Sequence, residues 1–98
     1  MKLYLQVHLV NKTENHVFET LWKKYEDGFI PNKDIEFQDE AWGEKTRGIN
    51  KIIVDLDNNY CFAHLEDYEC DSDQECTNIK DGHSYNGWKT PSEFGYPL

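Results

Sequence analysis

Apolar and polar residues alternate at the head of the chain, in KLYLQVHLV. Leu3, Leu5, Val7 and Leu9 fall on one side, Tyr4, Gln6 and His8 on the other. A period of two marks a strand with one buried face, and it predicts a strand over 2–10. The polar stretch NKTEN then supplies a turn. The next segment, HVFETLWKKYEDG, carries two periods at once. Val17, Phe18, Leu21, Trp22 and Tyr25 would stripe a helix over 15–26, with Asn15 as its cap and Gly28 as its stop. As a strand, Phe18, Thr20 and Trp22 share a face in a segment rich in aromatic and β-branched residues. A short polar turn after a strand favours a hairpin, so a strand over 16–25 is expected, with the helix as the alternative.

Pro31-Asn32-Lys33 marks a turn before a short strand over 34–39 that contains Ile35 and Phe37. QDEAWGEKTRG follows as a polar loop, its Trp42 either folded back into the core or exposed as a contact. Two strands, 49–57 and 60–68, then flank Asn58-Asn59, a pair suited to a two-residue turn. That turn sets Leu56 opposite Cys61, Val54 opposite Ala63 and Ile52 opposite Leu65, all apolar and all on one face. Within the same stretch Asp55, Asp57, Asn59 and Glu66 match the spacing of a calcium loop. The sixth position, which such a loop reserves for glycine, is Tyr60, and the flanks are not helical. A hairpin is therefore expected here, and no calcium site.

Residues 66–75, EDYECDSDQE, hold six acids in ten positions. Asp67, Glu69, Asp71, Asp73 and Glu75 recur at every second residue; an extended chain would line them up about 6.6 Å apart, near two axial phosphate steps of one DNA strand. A competing local pattern makes Ser72 the N-cap of a short helix over 73–81, with Glu75 completing a capping box. The tail over 82–98, rich in Gly, Pro and aromatics (Tyr85, Trp88, Phe94, Tyr96), is expected to be irregular, with Trp88 and Phe94 plugging apolar gaps.

Together these elements predict one α+β domain over 1–98, mainly β. The expected architecture is a small twisted antiparallel sheet of about five strands, or a partly open SH3- or OB-like barrel, with one short C-terminal helix. Charge adds a direction. Residues 1–51 hold 9 acids and 8 bases, whereas residues 52–98 hold 10 acids and 2 bases. Such a field repels nucleic acid and anionic membranes and attracts basic protein surfaces. No basic patch followed by an apolar run leads the chain. The three cysteines, an odd count at irregular spacing, form no disulfide framework, so a reducing, cytoplasmic setting is expected.

Chemistry-bearing motifs are sparse. No nucleophile elbow, P-loop or dinucleotide fingerprint occurs. Cys61 falls on the apolar hairpin face and reads as a small core residue. His64 could share its face with Asp55 and Asp57, which would raise its pKa. The expected function is non-enzymatic: a small acidic binding protein, without cofactor, that occludes a basic surface of a partner. An inhibitor or nucleic-acid mimic of the bacteriophage or mobile-element type is the concrete form. Asp67, Glu69, Asp71, Asp73 and Glu75 would make the contact, with Tyr68 as an aromatic anchor. The rivals are a metal- or thiol-dependent enzyme using Cys70, Cys76 and His83, with or without Asp71 or Asp73, and a plain interaction module.

Overall fold

The computed structural model describes residues 1–95. Tyr96 and the two residues after it lie outside the described residues. In chain order the elements are β1 (Lys2–Asn11), β2 (His16–Tyr25), β3 (Glu36–Gln38), a 3-10 turn at Glu40–Trp42, β4 (Thr46–Asp55), β5 (Tyr60–Leu65), β6 (Tyr68–Cys70), α1 (Asp73–Tyr85) and a second 3-10 turn at Pro91–Phe94. The 15–26 segment is strand, not helix: the short loop after β1 folds β2 straight back on it, from Leu3 opposite Tyr25 to Asn11 opposite His16. Asn11 closes that loop by accepting from the Thr13 and Glu14 amides, and Asn15 supplies the positive φ, 54°.

The strands form one open sheet in the order β2-β1-β5-β4-β3, and β6 continues beyond β5 along the same side of β1. β1 runs parallel to β5 and to β6, while the remaining pairs are antiparallel. The expected all-antiparallel sheet is thus a mixed one. After β2 the chain crosses to the far edge, lays down β3 and β4, and returns through β5 to the free side of β1. Since β2 and β3 occupy opposite edges, the sheet does not close into a barrel.

The central place of β1 overturns the expectation that only one of its faces is buried. Leu3, Leu5, Val7 and Leu9 join Leu21, Ile49, Cys61, Ala63 and Leu65 in the main core, roofed by Trp42 and Trp88. Each such aliphatic side chain contributes about 1.5–3 kcal/mol relative to exposure. The helix turns Cys76, Ile79 and His83, at i, i+3 and i+7, inward on the same side. On the opposite face Tyr4 is only 3% exposed and Gln6 8%. There Tyr4 stacks on Phe62, with ring centroids 4.8 Å apart, and Trp22 and Phe94 meet the same cluster edge-on.

The β4–β5 hairpin keeps its face sorting but not its expected register. Val54 pairs with Cys61 and Ile52 with Ala63, a shift of two residues from the two-residue turn. Asp55 is the cause. Its carboxylate accepts from the Asn58 amide and side chain, so the loop takes four residues, and only Asn59 has a positive φ. Leu56, expected opposite Cys61, is left 78% exposed. A bulge at Asn50 then sets Ile49, instead of the expected Ile52, opposite Leu65.

The strand expected over 60–68 ends at Leu65 and resumes at Tyr68 as β6, while the helix expected over 73–81 runs on to Tyr85. The polar loop before β4 contains the 3-10 turn that carries Trp42 into the core, 5% exposed. The tail packs as expected at Trp88, whose neighbour Lys89 exchanges two backbone hydrogen bonds with Trp22 at the outer edge of β2.

Candidate functional site

The acidic segment sits at one end of the sheet, where β6 leaves β1 and turns into α1. Only Tyr68–Cys70 is extended; Asp73 and Glu75 already lie in the first helical turn, so the row of carboxylates spaced like phosphates is not formed. The local capping pattern wins instead. Ser72 accepts from the Glu75 amide, and the Glu75 carboxylate reaches back one residue past the cap, to the Asp71 amide. Acids in that turn also suit the positive end of the helix.

The structure brings the six predicted contact residues together unevenly. Asp67, Glu69, Asp71, Asp73 and Glu75 are all exposed. Asp71 meets Lys12 at 3.2 Å, and the side-chain hydrogen bond from that lysine raises the lysine's own pKa. Asp73 accepts from the buried Asn11 side chain at 2.9 Å and faces His16 at 3.3 Å. Tyr68 is no free anchor: the Arg47 guanidinium covers its ring at 4.2 Å, and His83 packs edge-on against it. Asp67 contributes its backbone carbonyl to the same arginine.

Cys70 and Cys76 form a disulfide, their Cα atoms 5.6 Å apart, which corrects the expectation that the cysteines go unpaired. Three cysteines are one bridge plus a buried Cys61. Burial raises the Cys61 thiol pKa, in keeping with a core residue. The bridge clips β6 to α1 across Asp71–Glu75, so both ends of the acidic turn are held. It also removes Cys70 and Cys76 as thiols, and with them the metal or thiol site they would form with His83.

His83 has a different task. It is 1% exposed, and its Nε2 accepts from the Trp42 indole at 3.0 Å. An indole only donates, so the proton sits on Nδ1, which donates to the Ile79 carbonyl at 2.8 Å. Burial holds the His83 pKa below its usual value. Next to it the Trp88 indole donates to Asp39, which also accepts from the Ala41 amide and pairs with Lys23 at 2.6 Å. Burial pushes the Asp39 pKa upward, but the donors from Lys23, Ala41 and Trp88 outweigh it and leave the pKa lowered. A cleft of about 370 Å³ opens beside this ion pair, between Tyr25, Gln38 and Gly43. Both polar groups are saturated by neighbours, so they brace the core. Composition gave no sign of this brace beyond the tryptophans that need partners for their N–H groups.

A pH dependence follows from His83. A histidine with a lowered folded pKa favours the native state fully above its unfolded value, near 6.5, and that support is lost as the pH falls through the folded pKa. Melting temperature is expected to fall steadily as the pH is lowered from 6.5, with a slope of at most about 1.4 kcal/mol per pH unit for this group. His64 adds in the same direction. Burial, then Lys51 and His8, lower its pKa, which corrects the expected elevation by Asp55 and Asp57. Gln6 donates to its Nδ1 at 3.1 Å. A flat thermal-stability profile between neutral pH and the lowered histidine range would contradict the neutral His83.

The calcium-like set is spread along the hairpin. Asp55 lies at the loop end of β4, whereas the Glu66 amide bonds to the Gly48 carbonyl at the other end. Seven residues separate those two positions on β4, about 23 Å. No cluster of three or more His, Cys, Asp or Glu side chains placed to hold a metal occurs among the described residues. No helix there is long and apolar enough to cross a membrane. No family model matches the chain, and neither a curated protein nor a solved structure matches it significantly.

Proposed function

We propose that this protein is a non-enzymatic binding protein that presents its acidic turn, Asp67–Glu75, to a basic surface of a protein partner. The observation that carries this reading is that both halves of the turn are held: β6, which carries Glu69, pairs with β1, and the Cys70–Cys76 bridge and the Ser72 cap fix Asp71–Glu75. A rigid charged contact loses little conformational entropy on binding, so its electrostatic attraction is not offset by ordering. Asp67, Glu69 and Glu75 are exposed and form no ion pair among the described residues, and they form the working set, with one Glu75 oxygen also accepting from the Asp71 amide.

A basic surface that normally handles nucleic acid fits this charge, and blocking it would make the protein an inhibitor. Because the extended row is absent, the mimicry is of a local concentration of negative charge and not of phosphate spacing. A cytoplasmic site of action was expected from unpaired cysteines; the disulfide removes that support, because such bridges persist in oxidising settings.

The test is a pair of matched triple variants against a partner captured from the native host and then purified. Asp67, Glu69 and Glu75 to lysine should weaken binding by about tenfold or more, chiefly through slower association. Asp34, Glu44 and Asp57 to lysine, also exposed, change the net charge equally and should leave affinity within about threefold. Equal losses in the two sets would show that only net charge matters and would sink the localised site. Affinity of the wild type should fall as ionic strength rises.

A further inference from the structure

The outer edge of β4 carries a short palindrome of charge. β4 pairs with β5 on one side, and on the other β3 covers only Thr46–Gly48. Among the described residues no strand pairs with the rest of that edge. Its regular part is Lys51–Asp55, bounded by the bulge at Asn50 and by the four-residue loop. The sequence there is Lys-Ile-Ile-Val-Asp, with Ile53 41% and Val54 37% exposed and Leu56 just beyond at 78%. Unpaired amides beside exposed β-branched side chains form a template for another strand.

We propose that this edge pairs with the same edge of a second copy of the chain, antiparallel and centred on Ile53. That register sets Lys51 opposite Asp55 at both ends, Ile52 opposite Val54, and Ile53 opposite itself. Alternation places Lys51, Ile53 and Asp55 on one face of the joined sheet, so each charge meets its opposite next to the apolar centre. The register works whichever alternate amides point outward, because both the hydrogen-bonded and the non-bonded kinds of antiparallel pair obey it. It is also the only register centred on a residue of this stretch that matches both charges.

Lys51 forms no ion pair among the described residues, and a lone lysine on an edge ordinarily discourages pairing. Against a second copy the same lysine is satisfied. The contact is two-fold and isologous, which closes after two chains and does not grow into a fibre. β3 and the loop flank the five residues, so the interface is small and the dimer weak. The acidic turn lies at the other end of β5, beyond Leu65, and stays free on both copies.

Sedimentation equilibrium at physiological salt, over concentrations up to millimolar, should show a monomer–dimer equilibrium, and amide chemical shifts of 50–56 should move on dilution. Lys51→Glu sets like charges opposite each other and should weaken the dimer at least tenfold. Asp55→Lys should do the same. Mixed one to one, those two variants regain complementarity and should form a heterodimer about as tightly as the wild type. Because Asp55 also organises the loop, Ile53→Lys serves as a variant that leaves the loop intact, and it too should be monomeric. A wild type that stays monomeric over the whole range overturns the proposal. So does a dimer indifferent to Lys51→Glu and Ile53→Lys, or a mixture that fails to associate.

Discussion

Trp88→Ala is expected to lower stability by about 4 kcal/mol, within the range for deleting a large buried aromatic, and to lower the melting temperature by roughly 20 °C. The side chain is 1% exposed and its ring lies 5.6 Å from Trp42 and 5.5 Å from His83. Its N–H is one of the donors that keep the Asp39 carboxylate charged in the interior. Alanine removes the packing and the donor together. Phenylalanine keeps most of the ring and removes only the donor, so Trp88→Phe should cost about 1–2 kcal/mol. Urea unfolding followed by far-ultraviolet circular dichroism gives both values without depending on tryptophan emission. If Trp88→Ala melts within a few degrees of the wild type, the tail does not brace the core as described.

That brace joins parts of the chain that lie far apart in sequence, and this limits what could be read in advance. The strand β1 was legible from its period of two, and β2 from the turn residues before it, since its own pattern also fits a helix; both are local signals. The helix start was legible for the same reason, since Ser72 and Glu75 are three residues apart. The pairing of β1 with β5 was not, because alternation reports which face is buried and says nothing about which strand lies alongside. Tyr4 and Gln6 read as a solvent face for that reason, although Trp22, Phe62 and Phe94 cover them.

The hairpin register failed on one side chain: Asp55 closes a wider loop than Asn58-Asn59 would by themselves. At the candidate site the exposure of the five acids was legible, and their alignment was not. A capped helix begins in the middle of the run. The even spacing of acids in sequence therefore becomes a turn in space, and Tyr68 belongs to Arg47 instead of to a partner.

Reduction of the Cys70–Cys76 bridge, or replacement of both residues by serine, is expected to cost about 2 kcal/mol, the chain-entropy value for so short a loop. The melting temperature should fall by roughly 10 °C. Both cysteines are buried, 1% and 0% exposed, so a reductant reaches them only when the start of α1 opens, and the change should develop slowly after it is added. Cys61 cannot exchange with the bridge in the folded state. It lies beside Leu3 on β1, and Cys70 lies beside Asn11, eight residues along the same strand, about 26 Å away. Cys61→Ala should therefore leave the response to reductant unchanged, while the double serine variant should show no response at all. The two treatments should also agree in their effect on binding. Once the turn is unclipped, the segment that carries Glu75 must be ordered by the partner, so affinity should fall although no charge is lost. A reductant that leaves the melting temperature where it was would mean that the cap and the pairing of β6 with β1 already hold the turn, and the rigidity on which the proposed binding rests would then belong to Ser72 and Asn11.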